Sequence, residues 1–138
     1  MENAVTLKIT LPKIPDIELV ALEGLDRLAR HLGIDDAKIG EAKIIVTEAV
    51  INALEHSQAA NPHVKVEFTL TRNDITIFVR DYGKGFDPAS VVTPDIREKL
   101  AGGDKRGWGL KLMESLSDTF RIESGKTGTK IIIKKLLT

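Results

Sequence analysis

The sequence contains no cysteine, few aromatic residues and no excess of charge of either sign. The absence of cysteine excludes disulfide bonds and thiolate-based metal or redox chemistry. Because 20 basic residues balance 20 acidic ones, the overall charge indicates neither nucleic-acid binding nor attraction to an anionic membrane. No apolar run approaches the roughly 20 residues of a membrane-spanning helix, and the N-terminus lacks a signal-peptide pattern. These absences predict a cytoplasmic protein that binds no nucleic acid or membrane directly and meets any charged ligand locally.

The pattern of apolar residues predicts both the elements and the fold class. With 138 residues, 42% of them hydrophobic, the chain is expected to form a single domain over residues 1–138. The spacing predicts, in chain order, a strand at 4–10, a helix at 16–32, a helix from 35 or 36 to 57, strands at 64–70 and 74–80 joined at Arg72 and Asn73, a helix from 107, and two strands joined at 125–128. This order is wrong for a doubly wound parallel sheet. It predicts an α+β two-layer sandwich, with an antiparallel or mixed sheet and helices on one face.

A long interval at about 86–106 separates the third predicted strand from the following helix. It is rich in proline, glycine and charged residues. A stretch of this length in a compact domain is usually functional or mobile, so we expect a lid over a binding site.

The second predicted helix carries polar residues within an apolar run, EAVINALEHS at 48–57. Glu48, Asn52, Glu55 and His56 share one stripe, because positions i, i+4, i+7 and i+8 superpose on a helix. One interpretation is a partly solvated polar face. The other is a site in which the Asn52 amide oxygen binds Mg²⁺ and Glu48 deprotonates or orients a hydroxyl that attacks a phosphate.

Asp81 ends an apolar strand and opens a turn that contains Gly83 and Gly85. One interpretation is that its carboxylate hydrogen-bonds the backbone of its own turn. The other is that the carboxylate accepts the exocyclic amino proton of adenine, while the two glycines let the backbone approach the base. The sequence leaves both interpretations open.

The third predicted helix begins with Gly107, Trp108 and Gly109, directly after Lys105 and Arg106. Backbone N–H groups, the positive end of a helix and two cations would then converge on an anion. The alternative is that the glycines only permit a tight corner before the helix.

In this order and spacing, EAVINALEH, DYGKGFDP, RGWGLKLMESLSD and Gly128-Thr129 resemble the N, G1, G2 and G3 boxes of the GHKL (gyrase, chaperone, histidine kinase, MutL) ATP-binding superfamily. The resemblance spans essentially the whole chain. It is closest to the anti-sigma-factor serine kinases, small bacterial regulators that consist of this domain alone. It implies the Bergerat fold, a mixed and mostly antiparallel sheet against helices, with ATP and Mg²⁺ bound beneath an ATP lid at about 86–106.

The resemblance also implies a role for each motif residue. Glu48 is expected to be the catalytic base and Asn52 the Mg²⁺ ligand. Asp81 is expected to accept from adenine, with Thr129 in support. The other expected nucleotide-binding residues border the base or lie along the phosphates: Gly83, Gly85, Lys105, Arg106, Gly107, Trp108, Gly109 and Leu110. Trp108 stands where the family usually has a smaller aliphatic residue.

Members of this family commonly form homodimers, bind a sigma factor and phosphorylate a serine of a small, STAS-like antagonist protein. The implied function is therefore an anti-sigma-factor-like serine kinase that switches partners. Two alternatives remain, a nonenzymatic ATP-binding regulatory module and the detached catalytic domain of a histidine kinase. Histidine kinases usually carry Asn at the position of Glu48 and need a phosphoacceptor His on a pair of dimerisation helices.

Overall fold

Five strands pair into one antiparallel sheet in the part of the chain that the structure describes. This computed structural model describes residues 3–57, 62–84 and 105–137, without the side chains of residues 105–107. The strands are β1 (Val5–Leu11), β2 (Val64–Leu70), β3 (Asp74–Asp81), β4 (Thr119–Gly125) and β5 (Gly128–Leu136). Their order across the sheet is β1-β2-β3-β5-β4, and each neighbouring pair is antiparallel.

Three helices in the described ranges cover one face of the sheet. They are α1 (Glu18–His31), α2 (Asp36–His56) and α3 (Lys105–Leu116). Burial alternates along the strands, as it should when only one face is covered: every second residue of β2, from Val64 to Leu70, is buried. The arrangement confirms the predicted α+β sandwich with helices on one face, and the described sheet is antiparallel throughout rather than mixed.

The start of α1 differs from the predicted start at Asp16. Asp16 has a φ of 62°, in the left-handed region, which interrupts a right-handed helix. The helix therefore begins at Glu18, after Ile17 as its N-cap. Its end agrees with the prediction, because Gly33, with a φ of 71°, follows it in the left-handed conformation that often ends helices.

Helix α2 supplies much of the hydrophobic core. It packs against the sheet, α1 and α3. Its buried apolar residues are Ile39, Ala42, Ile45, Val46, Ala49, Val50, Ala53 and Leu54. Because these contacts surround the helix on several sides, they determine its rotation about its own axis. This rotation in turn determines which elements its polar residues face.

Two further predictions concern the expected lid and the absence of a membrane-spanning helix. The expected lid at 86–106, together with Gly85, lies outside the described residues, except for the backbone of residues 105 and 106. None of the described helices is both long and apolar enough to cross a membrane.

The one-sided burial of the sheet predicts different costs for two phenylalanine substitutions. Phe68 on β2 is fully buried beneath the helices, whereas Phe78 on β3 is half-buried on the opposite face. Phe68→Ala should lower the free energy of unfolding by about 3–5 kcal/mol, because it leaves a cavity in the core. Phe78→Ala should lower it by only about 1–2 kcal/mol. Urea unfolding followed by circular dichroism measures both, and equal losses would contradict this assignment of the two faces.

Candidate functional site

Glu48 and Asn52 of α2 face α3 at Gly109. Glu48 is half-buried, and Asn52 is only 8% exposed although it is polar. A β-carbon built at Gly109 would lie 3.2 Å from Glu48 Oε2 and 3.9 Å from Asn52 Nδ2. Glycine at this position therefore lets α3 pass close to the carboxylate and the amide without a side chain covering them.

The last turn of α2 has other neighbours, because α3 runs antiparallel to α2 and begins beside its middle. The end of α3 lies beside the start of α2, because both contact Lys135. Its Nζ is 2.7 Å from the Leu116 carbonyl oxygen at the end of α3 and 2.5 Å from Glu41 Oε2 near the start of α2. Glu55 is exposed in a groove of about 340 Å³ beside the β1–α1 connection. The predicted stripe is therefore divided, and Glu55 faces a surface that the other members of the stripe do not share.

A turn holds the Asp81 carboxylate at the end of β3. The Gly83 N–H donates a hydrogen bond to Asp81 Oδ1 at 2.9 Å, and Asp81 is only 4% exposed. The turn interpretation of this residue is thus correct. It does not exclude the acceptor interpretation, because an ionised carboxylate has about four lone-pair sites and the turn uses one.

Gly83 also brings the end of β3 against the end of α2. A β-carbon built at Gly83 would overlap the backbone carbonyl of His56 and lie 3.2 Å from Asp81 Oδ1. The sequence predicted a close approach between this glycine and a base, and it did not indicate the contact with His56. Nothing in the local pattern could have indicated it, since the two residues meet only through the tertiary fold.

Thr129 of β5 lies directly opposite Asp81 in the sheet. It is only 4% exposed, and its hydroxyl lies 2.7 Å from that of Ser124 on β4. Gly128 has a φ of 124°, and a β-carbon there would overlap the Asp81 carbonyl. The sheet therefore places Thr129 beside Asp81, as the implied support of Asp81 by Thr129 requires. The contact of Thr129 with Ser124 follows from strand register, which the sequence does not specify.

The first turn of α3 begins two residues earlier than predicted, at Lys105 instead of Gly107. The N–H groups that have no intrahelical acceptor are then those of the N-cap and of the first three helical residues, 105–107, and Gly109 lies beyond them. The predicted roles of Lys105 and Arg106 concern side chains outside the described part of the chain. Trp108 and Leu110 are half-buried, and Leu110 packs against the core. The N–H of Leu110, like that of Gly109, lies beyond the free groups of the first turn.

The donor set at Asn52 fits a magnesium ion bound together with a nucleotide. No cluster of three or more His, Cys, Asp or Glu residues that could hold a metal occurs among the described residues. Mg²⁺ is typically held by one or two protein oxygens together with substrate phosphates and water. One amide on a buried helix, beside a glycine whose missing side chain leaves room next to it, is consistent with that mode of binding.

Comparison with known proteins identifies the family of the chain. The model of a family described as the histidine kinase-like ATPase domain matches residues 16–135. An anti-sigma F factor of Clostridium novyi (strain NT) is 33% identical over 103 residues, which cover 72% of each protein. A serine-protein kinase, RsbW, of Oceanobacillus iheyensis is 27% identical over an alignment of 146 residues, which covers 99% of this chain and 90% of that protein.

A solved structure supports the fold. The crystal structure of the RsbU and RsbW domains of a Mycobacterium tuberculosis protein matches with a TM-score of 0.70 at 23% identity, over 96% of this chain and 32% of that one. The family model covers most of the chain, and the clostridial relative is one-third identical to it. The chain therefore belongs to the histidine kinase-like ATPase family and, within it, to the anti-sigma-factor serine kinases.

Proposed function

We propose that the protein transfers the γ-phosphate of ATP to a serine of a small antagonist protein and exchanges this partner for a sigma factor. Its main support is the meeting of Glu48 and Asn52 at Gly109, which brings a carboxylate and an amide together beside the start of α3. The names of two relatives, an anti-sigma F factor and a serine-protein kinase, support the two halves of the proposal. A homodimer is expected from the family.

Asp81 and Thr129 form the adenine end of the proposed site. They are paired across β3 and β5, and each is only 4% exposed. A buried acceptor suits the exocyclic amino group of adenine and disfavours guanine, which presents a carbonyl oxygen at that position. The turn through Gly83 N–H keeps the carboxylate at the strand end.

The start of α3 forms the phosphate end. Residues 105–107 contribute backbone N–H groups at the positive end of the helix, and Lys105 and Arg106 add two charges there. Asn52 holds Mg²⁺, and the ion neutralises charge on the phosphate oxygens when it is bound. Arg106 contacts the terminal phosphate in this proposal.

Glu48 acts on the attacking hydroxyl. The serine oxygen forms a bond to the γ-phosphorus, the bond from that phosphorus to the leaving oxygen of ADP breaks, and Glu48 accepts the hydroxyl proton. A carboxylate that is half-buried on a well-packed helix is suited to this role, because its position is determined by the packing of α2.

Asp81→Asn tests the adenine end. The Asn side chain retains an oxygen that can accept from the Gly83 N–H, but it replaces the other carboxylate oxygen by an amide donor that faces the amino group of adenine. The mismatch should weaken ATP binding about tenfold or more. Calorimetry with ATP and with GTP measures the change. An unaltered ATP affinity in the variant, or equal affinities of the wild type for ATP and GTP, would refute this role.

Glu48→Gln separates nucleotide binding from chemistry. The variant should retain ATP binding but lose phosphotransfer by about 10²-fold or more, because the amide cannot accept the hydroxyl proton. Glu55→Gln is the matched control, since Glu55 lies on the same helix but in a separate groove, and it should transfer phosphate at the wild-type rate.

The substrate for this assay is first captured from an extract of the native cell on immobilised Glu48→Gln protein in the presence of Mg·ATP. The captured proteins are identified by mass spectrometry, and each is then incubated with γ-labelled ATP and the wild type or a variant. Acid-stable label on a serine of a captured protein supports the proposed kinase. Acid-labile label would indicate histidine phosphorylation, and no label would indicate a nonenzymatic ATP-binding module. If Glu48→Gln phosphorylated its partner at the normal rate, Glu48 would be a structural residue.

Gly109→Ala tests the contact between α2 and α3. The new methyl group would displace the Glu48 carboxylate, and a displacement of this kind should reduce phosphotransfer about tenfold or more. The free energy of unfolding should not fall, because alanine is the better helix former. Gly40→Ala, where a β-carbon has no neighbour within 4 Å, should stabilise the protein by about 0.5–1 kcal/mol without affecting phosphotransfer. Full activity of Gly109→Ala would contradict the role assigned to this contact.

A further inference from the structure

Three cations form a row on the sheet face opposite the described helices. Lys65 of β2 lies opposite Arg80 of β3, and Arg80 lies opposite Lys130 of β5. The residues on either side of each cation along its strand are buried on the helix-covered face, so the cations themselves point to the other face. Like charges directly opposite each other destabilise a sheet, and a bound anion would offset this repulsion.

The carboxylates nearest to this row are paired with other cations. Glu123 of β4 is opposite Lys130 in the sheet, but it forms an ion pair of 2.6 Å with Arg121. Glu67 lies in the next row and is 3.9 Å from Lys8. Across the described ranges, no carboxylate lies within ion-pair distance of any of the three cations in the row.

The guanidinium group of Arg80 is held in position and has an unused donor. Its central carbon lies 4.7 Å from the centroid of the Tyr82 ring, and Lys65 Nζ lies 5.8 Å from the same centroid. Arg80 Nε is buried and makes no hydrogen bond to any described residue. Because a buried donor without an acceptor is unfavourable, the group is well suited to an additional acceptor.

A small polar cavity lies beside Arg80 and Lys130. Its volume is about 180 Å³, and the β4–β5 hairpin supplies the other lining residues: Glu123, Ser124, Gly125, Thr127 and Gly128. Pockets for drug-sized ligands are larger, roughly 300–1,000 Å³. The cavity therefore suits a single oxyanion and is too small for a nucleotide.

We propose that this cavity binds one phosphate group, held by Arg80 and Lys130 and by the hydroxyl of Thr127. The planar fork of Arg80 matches the geometry of phosphate oxygens, and Lys130 adds a point charge. Lys65, on the far side of Arg80, adds to the positive field. Three cations that form no ion pair with a carboxylate of the described ranges favour a phosphate dianion over a singly charged carboxylate.

The phosphate site lies on the opposite face of the sheet from the proposed nucleotide site. Arg80 precedes Asp81 and Lys130 follows Thr129, and adjacent residues of a strand point to opposite faces. The cations of the phosphate site and the acceptors of the nucleotide site therefore lie on opposite faces, although Ser124 and Gly128 border both sites. The phosphate site does not depend on the proposed kinase function.

The test is a titration of the ¹⁵N-labelled protein with inorganic phosphate at constant ionic strength, followed by amide NMR shifts. The amides of Gly125, Gly128 and Lys130 should shift saturably, both with and without saturating Mg·ATP. Lys130→Gln should weaken phosphate binding about tenfold, as should Arg80→Gln, because each removes one charged contact. Lys134→Gln, on the same strand and face but outside the cavity, should bind phosphate like the wild type.

A second titration with O-phosphoserine distinguishes the two sources of a phosphate group. Tighter binding of phosphoserine indicates a phosphate ester as the ligand, and tighter binding of inorganic phosphate indicates the free ion. Shifts that sodium chloride reproduces, or that disappear in Mg·ATP, would overturn the proposal. So would equal phosphate binding by Lys130→Gln and Lys134→Gln. Asp81→Asn should keep phosphate binding, so failure of the nucleotide assignment remains distinguishable from failure of this one.

Discussion

Helix α2 packs against the sheet on one side and against α1 and α3 on the others, and the positions of the site residues depend on this packing. A helix surrounded by apolar contacts has little freedom to rotate, since rotation would expose buried aliphatic side chains and leave voids. Glu48 and Asn52 occupy the part of its surface that faces α3. Their orientation is therefore a consequence of core packing, and the chemistry proposed for them needs no separate device to hold them.

Close backbone approaches connect the elements around the site. Gly83 brings the end of β3 against the carbonyl of His56 at the end of α2, Gly109 brings α3 against Glu48, and Gly128 brings β5 against the Asp81 carbonyl. Any larger residue at Gly83 or Gly128 would collide with backbone, which cannot move as a side chain can. The adenine end of the proposed site thus depends on two contacts that only glycine permits, those of Gly83 and Gly128.

The alternation of side chains along β3 and β5 gives the two faces of the sheet different chemistry. Asp81 and Thr129 are buried on the helix-covered face, while Arg80 and Lys130 point to the other face. A strand has a side-chain period of two, so adjacent residues separate onto opposite faces. A short stretch of two paired strands can therefore carry an acidic acceptor on one face and a cationic cavity on the other.

Much of the fold could be predicted from local sequence patterns, since periods of two and 3.6 residues, Gly33 and the hairpin residues each act over a few positions. The family was indicated by the resemblance of the four motifs. The shared helix stripe of Glu48 and Asn52 followed from their spacing, and the association of Asp81 with Thr129 was implied by the resemblance. The start of α1 at Glu18 and of α3 at Lys105 did not, because helix ends depend on the backbone around them, as Asp16 illustrates.

The sequence by itself determined the order of the elements, the one-sided amphipathic pattern of the strands and the motif residues of the family. Only the tertiary structure decided which of those residues meet: Glu55 faces a separate groove, Gly83 contacts His56, and Ser124 supports Thr129. It also decided that Lys65, Arg80 and Lys130, which are distant in the chain, form one row. The physical reason is that strand register and helix packing arise from contacts between distant segments, which no local pattern encodes.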